Sequence, residues 1–199
     1  DLEIRGAGDI LSTRQTGQVA AIGLHLYTQL LTQAIQERKG RAEGEAIPAA
    51  ATSSVILDLP LPAYLPDDWI PELSLRLQIY RRIASLNTQD EVDAMRDELR
   101  DRFGQLPPAV EGLLYQIEVK LLAQRAGASA VVTRKDTLHL KLPYLPEINR
   151  TGLARWLGGD VVVSRVAVEL PINSADDWQP RLLDVLARLA ENTSINVLV

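Results

Sequence analysis

The chain has 199 residues, of which 46% are hydrophobic and 24% charged, with a formal net charge of −5. This balance is typical of a folded protein with an ordinary core, and the length predicts one or two domains. The absence of cysteine excludes disulfides, thiolate metal sites and a cysteine nucleophile. No apolar run reaches the ~20 residues of a membrane-spanning helix, and a pI near 5.1 argues against strong nucleic-acid binding by the whole chain.

Residues 1–40 predict a loop followed by a helix. The loop is interrupted by three glycines: Gly6, Gly8 and Gly17. Apolar side chains then recur at helical spacing over 18–39, and Gly40 is a C-terminal stop signal. The start has neither an initiator Met nor the pattern of a signal peptide, so we expect the chain to be a piece of a longer protein. Small residues without periodicity over 41–52 predict a linker.

Residues 53–199 alternate between strand-like and helix-like segments, which predicts a mixed α/β domain with about four helices packed on a small sheet. Helical segments are expected at 71–86, at 89–103, from Pro107 and Pro108 onward, at 149–157 and at 174–191. Strands are expected at 54–59, in a hairpin around Lys135 and Asp136, at 160–170 and at 195–199. Leu73 lies on the predicted inward stripe of the first of these helices. The predicted fold class is α+β, including the N-terminal helix.

The helix at 89–103 is strongly acidic. Thr88 and Glu91 have the spacing of a capping box, which predicts where the helix begins. Six carboxylates face only three arginines within this segment. Glu98 and Asp101 are three residues apart and therefore share a helix face. The pattern fits a solvated face with ion pairs, or a docking surface for a basic partner.

Signals for catalysis are weak throughout the chain. No phosphate-binding loop is present, and neither His25 nor His139 has a metal-ligand partner at helical or hairpin spacing. We therefore predict no metal site, no cofactor and no catalytic residue in the chain itself. A free-standing enzyme with a site around His139, within residues 128–199, is the alternative. Arg5 and Gln15 in the glycine-rich loop suit contacts to phosphate or backbone, or belong to a simple connecting loop.

Two stretches carry a family resemblance. DLEIRGAGDILSTRQTGQ, at the start, resembles the TRG motif shared by bacterial transcription-repair coupling factors and RecG-type helicases, with Ser12 and Thr16 where glycine and serine are usual. LPDDWIP at 65–71 and DRFGQLP at 101–107 resemble the C-terminal domain of the coupling factors. The chain therefore resembles the coupling-factor family, and the tail of a RecG-type helicase is the second alternative.

The resemblance implies a cytoplasmic parent protein that is an ATP-dependent double-stranded DNA translocase, with ATP and Mg²⁺ bound in its motor domains. Such a protein displaces stalled RNA polymerase and recruits nucleotide excision repair through UvrA. Residues 1–40 would be the end of the second motor domain and half of a helical hairpin whose first helix precedes Asp1. Arg5 and Gln15 would couple ATP hydrolysis to translocation, supported by the loop glycines.

The resemblance also implies a role for residues 53–199. They would form a regulatory domain that packs on the N-terminal UvrB-like module of the same protein and hides its UvrA-binding surface. Glu98 and Asp101 would be the docking residues of this domain. Double-stranded DNA would contact the motor rather than this domain, and no membrane partner is expected.

Overall fold

The computed structural model describes residues 55–143, 149–172 and 178–193. Its strands are β1 (Ile56–Asp58), β2 (Ala130–Arg134), β3 (Thr137–Lys141), β4 (Val162–Val163) and β5 (Ala167–Pro171). Its helices are α1 (Leu73–Ala84), α2 (Gln89–Phe103), α3 (Pro108–Arg125), α4 (Arg150–Trp156) and α5 (Trp178–Thr193). The predicted α+β class is confirmed. The loop and helix at 1–40, the linker at 41–52 and the last predicted strand lie outside the described residues.

The five strands form one mixed sheet in the order β1-β2-β3-β5-β4, in which β1 runs parallel to β2 and all other pairs are antiparallel. Side chains alternate between the two faces of a strand. One face supplies the core through five fully buried residues: Val131, Leu138, Leu140, Val168 and Leu170. His139 lies between two of them in sequence and therefore points to the other face, as its alternation predicts.

Helix α3 is the centre of the domain. Its residues are buried on almost every side from Ala109 to Val119, because α1, α2 and α5 all pack against it. Gly112 permits a close approach of the loop before α1, since a Cβ there would lie 2.1 Å from the carbonyl oxygen of Pro62. The Tyr115 hydroxyl donates a 2.9 Å hydrogen bond to the carbonyl of Gln179 and ties α3 to α5.

The capping box predicted for α2 is confirmed. The Thr88 hydroxyl accepts a hydrogen bond from the Glu91 amide, and the Glu91 carboxylate accepts one from the Thr88 amide. The helix ends at Gly104, whose φ of 82° lies in the region that favours glycine. Both ends of the acidic helix are therefore fixed by local sequence.

Two predictions about the elements are wrong. Leu73 is 60% exposed rather than inward, because the first turn of α1 projects beyond the core, and Ile79 and Ile83 are the buried residues of that helix. The single strand predicted at 160–170 is a hairpin of β4 and β5. Its turn is closed by the Ser164 hydroxyl, which accepts a 3.0 Å hydrogen bond from the Ala167 amide. A turn made this way contains neither glycine nor proline, so the sequence gives no signal for it.

Candidate docking surface

The carboxylates of α2 are divided between its two flanks and its outer side. On the flank toward α1, Glu98 accepts hydrogen bonds from Arg82 at 2.6 Å and from Arg102 at 2.9 Å. These bonds stabilise the charged form, first from Arg82 and then from Arg102, and lower the pKa of Glu98 from 4.5 to about 2. Glu98 is therefore ionised at neutral pH, and two guanidinium groups already share its charge.

Asp101 has a different environment. It is exposed and forms no ion pair with any residue that the structure describes. It lies three residues after Glu98 on the same helix, so the two predicted docking residues are neighbours. Of the two, Asp101 is the carboxylate whose charge is available to a partner.

On the other flank of α2, Arg96 binds three carboxylates. Its guanidinium contacts Glu118 at 2.5 Å, Asp93 at 2.7 Å and Glu111 at 3.1 Å. Gln89 also donates to Glu118, whose side chain is only 10% exposed. This network joins α2 to α3 and uses charge for internal attachment rather than for contact with a partner.

A shallow groove of about 300 Å³ lies between α1 and α2, and Glu98 is one of its lining residues, whereas Asp101 is not. Leu86 and Met95 contribute apolar surface, while Arg82, Glu91 and Glu98 contribute charged groups. Apolar surface next to charged groups suits a long side chain that has an aliphatic stem and a polar head.

Sequence reasoning did not find the partners of Glu98. Arg102 is four residues away on the same helix, a spacing that signals an ion pair. Arg82 comes from α1, and only the packing of the two helices brings it to Glu98. The sequence also does not show that Asp101 lacks an ion pair, because three arginines lie within five residues of it on the same helix, and the structure pairs each of them with another carboxylate.

The remaining predicted site residues are not gathered in this region. Arg5, Gln15 and the glycines at 6, 8 and 17 lie outside the described residues. His139 is 23% exposed on the open sheet face, with its Nδ1 3.6 Å from a Glu169 carboxylate oxygen, and does not line the groove between α1 and α2. Over the described part of the chain, no cluster of three or more potential ligands fits a metal ion. No described helix is long and apolar enough to cross a membrane.

The comparisons with known proteins agree on one family. The TRCF domain model matches residues 59–153. The transcription-repair-coupling factor of Mycobacterium tuberculosis (strain CDC 1551 / Oshkosh) is 35% identical over 193 residues, which cover 93% of this chain and 16% of that protein. That of Bacillus subtilis (strain 168) is 31% identical over 203 residues, covering 96% and 17%. The chain belongs to the transcription-repair coupling factor family.

A solved structure supports the fold of this coupling-factor chain. The crystal structure of a C-terminal domain of transcription-repair coupling factor matches with a TM-score of 0.61, 17% identity, and coverage of 73% of this chain and 96% of that one. At 17% identity, this structural match shows that the two chains share a fold. The predicted family membership is confirmed, and the matched TRCF region includes all of α1–α3 with Glu98 and Asp101. The chain spans about one sixth of the length of the two relatives above.

Proposed function

We propose that the chain is the C-terminal part of an ATP-dependent double-stranded DNA translocase that displaces stalled RNA polymerase and recruits nucleotide excision repair through UvrA. Membership of the coupling-factor family is the observation that carries this proposal. ATP and Mg²⁺ bind the motor domains of the parent protein in this proposal, and the 199-residue chain hydrolyses nothing. ATP turnover by the purified chain would contradict that part of it.

We divide the chain into three parts in this proposal. Residues 1–40 are the end of the second motor domain. Residues 41–52 are the linker that follows it, and residues 53–199 form the regulatory domain. Arg5 and Gln15 transmit ATP-driven movement to DNA. Arg5→Ala in the full-length protein should leave ATP hydrolysis largely intact and abolish translocation. Equal loss of hydrolysis and translocation would contradict a coupling role.

The regulatory part acts by covering a surface. In this proposal the domain packs through α2 on the N-terminal UvrB-like module of the same protein and hides the surface that binds UvrA. Twelve acidic and six basic side chains over residues 55–118 make this part of the domain a counterpart for a basic surface. A partner with greater affinity for the open state releases the restraint, because only differential binding shifts the equilibrium.

The local geometry ranks the two predicted docking residues. Glu98 with Arg82 and Arg102 forms a group with one negative and two positive charges. Such a group attracts an incoming cation poorly, so we assign Glu98 the task of positioning Arg102. Asp101 supplies an uncompensated negative charge at the surface. Asp101 is therefore the main electrostatic contact in our proposal.

The test is binding of the chain to the isolated UvrB-like module of the same parent protein, at about 0.05 M and about 0.5 M NaCl. Asp101→Lys should weaken binding about tenfold at low salt, and Glu98→Lys should weaken it less. Asp58→Lys makes the same charge change on the sheet and should have no effect. Unchanged binding of the Asp101→Lys variant would mean that α2 is a solvated helix face without a docking role.

A second experiment uses the full-length protein. Reversal of both charges, with Glu98→Lys and Asp101→Lys together, should increase UvrA binding because the module is no longer covered. Unchanged UvrA binding would contradict the masking role even if the first experiment succeeds.

A further inference from the structure

A second groove, of about 440 Å³, lies between the loop before α1 and the start of α3. Four prolines line it: Pro62, Pro66, Pro107 and Pro108. Tyr64, Asp68 and Trp69 complete most of its wall, and the Tyr64 side chain is 45% exposed. The volume is near the lower end of the ~300–1,000 Å³ typical of small-ligand clefts, so the groove accepts a few side chains rather than a folded domain.

The groove is held rigidly before anything binds. Prolines have a fixed φ and no amide donor. The carbonyl of Pro66 already accepts from the Ile70 amide, and that of Pro107 accepts from the Val110 amide at 2.9 Å. Close packing at Gly112 fixes the Pro62 segment against α3. A wall ordered in this way loses little conformational freedom when it binds a partner.

The charges at the groove lack a counterpart. Asp67 and Asp68 are exposed and form no ion pair within the described part of the chain. The nearest arginine in sequence, Arg76, donates instead to the backbone carbonyls of Ile70 and Pro71. A half-exposed aromatic ring beside a free carboxylate is a complementary surface for a guanidinium, which stacks on the ring and donates to the carboxylate.

Trp69 is an independent sign that this wall is not built for stability alone. Its indole nitrogen is buried and has no hydrogen-bond partner among the described residues, which costs free energy. The Trp69 ring packs on Phe103, with 5.3 Å between the ring centroids. Phenylalanine at position 69 could pack on Phe103 in the same way without that cost. Departures of this kind from the most stable choice are expected at functional surfaces. We propose that this groove binds an extended, arginine-bearing segment of a partner protein.

This groove is connected to the docking surface without being part of it. Trp69 packs edge-to-face on Phe103, and the guanidinium of Arg102 lies 5.1 Å from the Phe103 ring centroid. Arg102 in turn donates to Glu98. A partner could therefore contact both sites, yet the groove needs nothing from the proposed masking role.

The experiment titrates the 199-residue chain with an acetylated and amidated Ala-Pro-Arg-Pro-Ala peptide, followed by calorimetry and by two-dimensional NMR. A matched peptide carries citrulline, which keeps the planar head group and removes its charge. The arginine peptide should bind saturably with shifts in the resonances of Tyr64 and Trp69. The citrulline peptide should bind about tenfold more weakly, as expected when cation–π attraction and an ion pair are both lost.

Variants of the chain locate the binding. Asp68→Asn and Tyr64→Ala should each weaken the arginine peptide about fivefold. Tyr64→Phe keeps the ring and should keep the affinity, and Asp136→Asn is a charge-matched control in the exposed β2–β3 turn. Circular dichroism melts establish that each variant is folded. Absence of saturable binding, or equal binding of both peptides, would overturn the proposal, as would full affinity in the Asp68→Asn and Tyr64→Ala variants.

Discussion

The helical region (residues 73–125) and the sheet region (residues 130–171) of this domain are fixed in different ways. Side-chain contacts fasten the helices to one another, both through the buried apolar core and through ion pairs such as Arg82 with Glu98 and Arg96 with Glu118. Backbone hydrogen bonds of the ladders fasten the strands. Within the described sheet region, the one contact between a basic and an acidic side chain joins His139 to Glu169, with 3.6 Å between Nδ1 and the carboxylate oxygen. The helical region should therefore respond more strongly to single side-chain changes.

The two parts of the domain also differ in net charge. Residues 55–118 are net acidic, whereas residues 119–172 carry four acidic and eight basic side chains. Most carboxylates on α2 are used internally, and a few are left for the solvent. The comparison teaches that a run of charge in a sequence is a mixture of internal fastening and outward recognition, which only the fold separates.

The largest expected effect comes from Gly112, at the centre of the helical region. Gly112→Ala places a methyl group 2.1 Å from the Pro62 carbonyl oxygen and 2.7 Å from Leu61 Cδ1. Neither the Pro62 backbone nor α3 can move without opening the core, so we expect the free energy of unfolding to fall by about 3 kcal/mol, the upper end of the usual range for overpacking. Urea denaturation measures the change.

Gly152→Ala is the matched control for this prediction. It is also a helical glycine, but its added methyl would meet only the Asn149 side chain, at 3.0 Å or more. We expect the stability of that variant to stay within about 0.5 kcal/mol of the original. Equal destabilisation by both substitutions would mean that the approach of Pro62 to α3 is not the limiting contact.

The next effect tests the fastening of α2 to α3. Arg96→Met removes the guanidinium from Glu118, whose side chain is 10% exposed, and should cost about 2 kcal/mol because a partly buried carboxylate loses its main partner. Glu118→Gln in the same chain should recover part of the loss, since it removes the unpaired charge. A double-mutant cycle, measured by urea denaturation, gives the coupling free energy between Arg96 and Glu118. Strictly additive losses would show that Arg96 stabilises through packing alone.

Local features of these regions could be predicted from sequence, and their long-range partners could not. The Thr88 capping box and the Gly104 stop define α2 because they act within four residues of the chain. The fold class follows from periodicity in the same way. The pairs of Arg82 with Glu98 and of Arg96 with Glu118 join different helices, so they depend on packing that a single sequence does not reveal. Family resemblance, rather than physics, supplied the hypothesis for Arg5 and Gln15.

A smaller effect concerns acid stability on the α1–α2 flank. The pKa of Glu98 is about 2 in the folded chain and ordinarily 4.5, so its contribution is complete above pH ~4.5 and is lost as pH falls toward 2. Glu98→Gln should therefore reduce stability at neutral pH and flatten the decline between these two values. Thermal melts across that pH window measure the slope. Asp101→Asn is the control, and a matching change of slope in that variant would argue against a special role of the Arg82 contact.

The smallest expected effect is in the sheet region, at the turn between β2 and β3. Lys135 has a φ of 54°, a left-handed conformation that asparagine adopts more readily than lysine. Lys135→Asn should therefore stabilise the domain by up to about 0.5 kcal/mol, and Lys135→Gln, which removes the same charge without that preference, should not. Thermal melts separate the two variants. Because the turn is local to the ladder, neither substitution should alter the proposed binding to the UvrB-like module, and a change in that binding would mean that the proposed interface includes the sheet region.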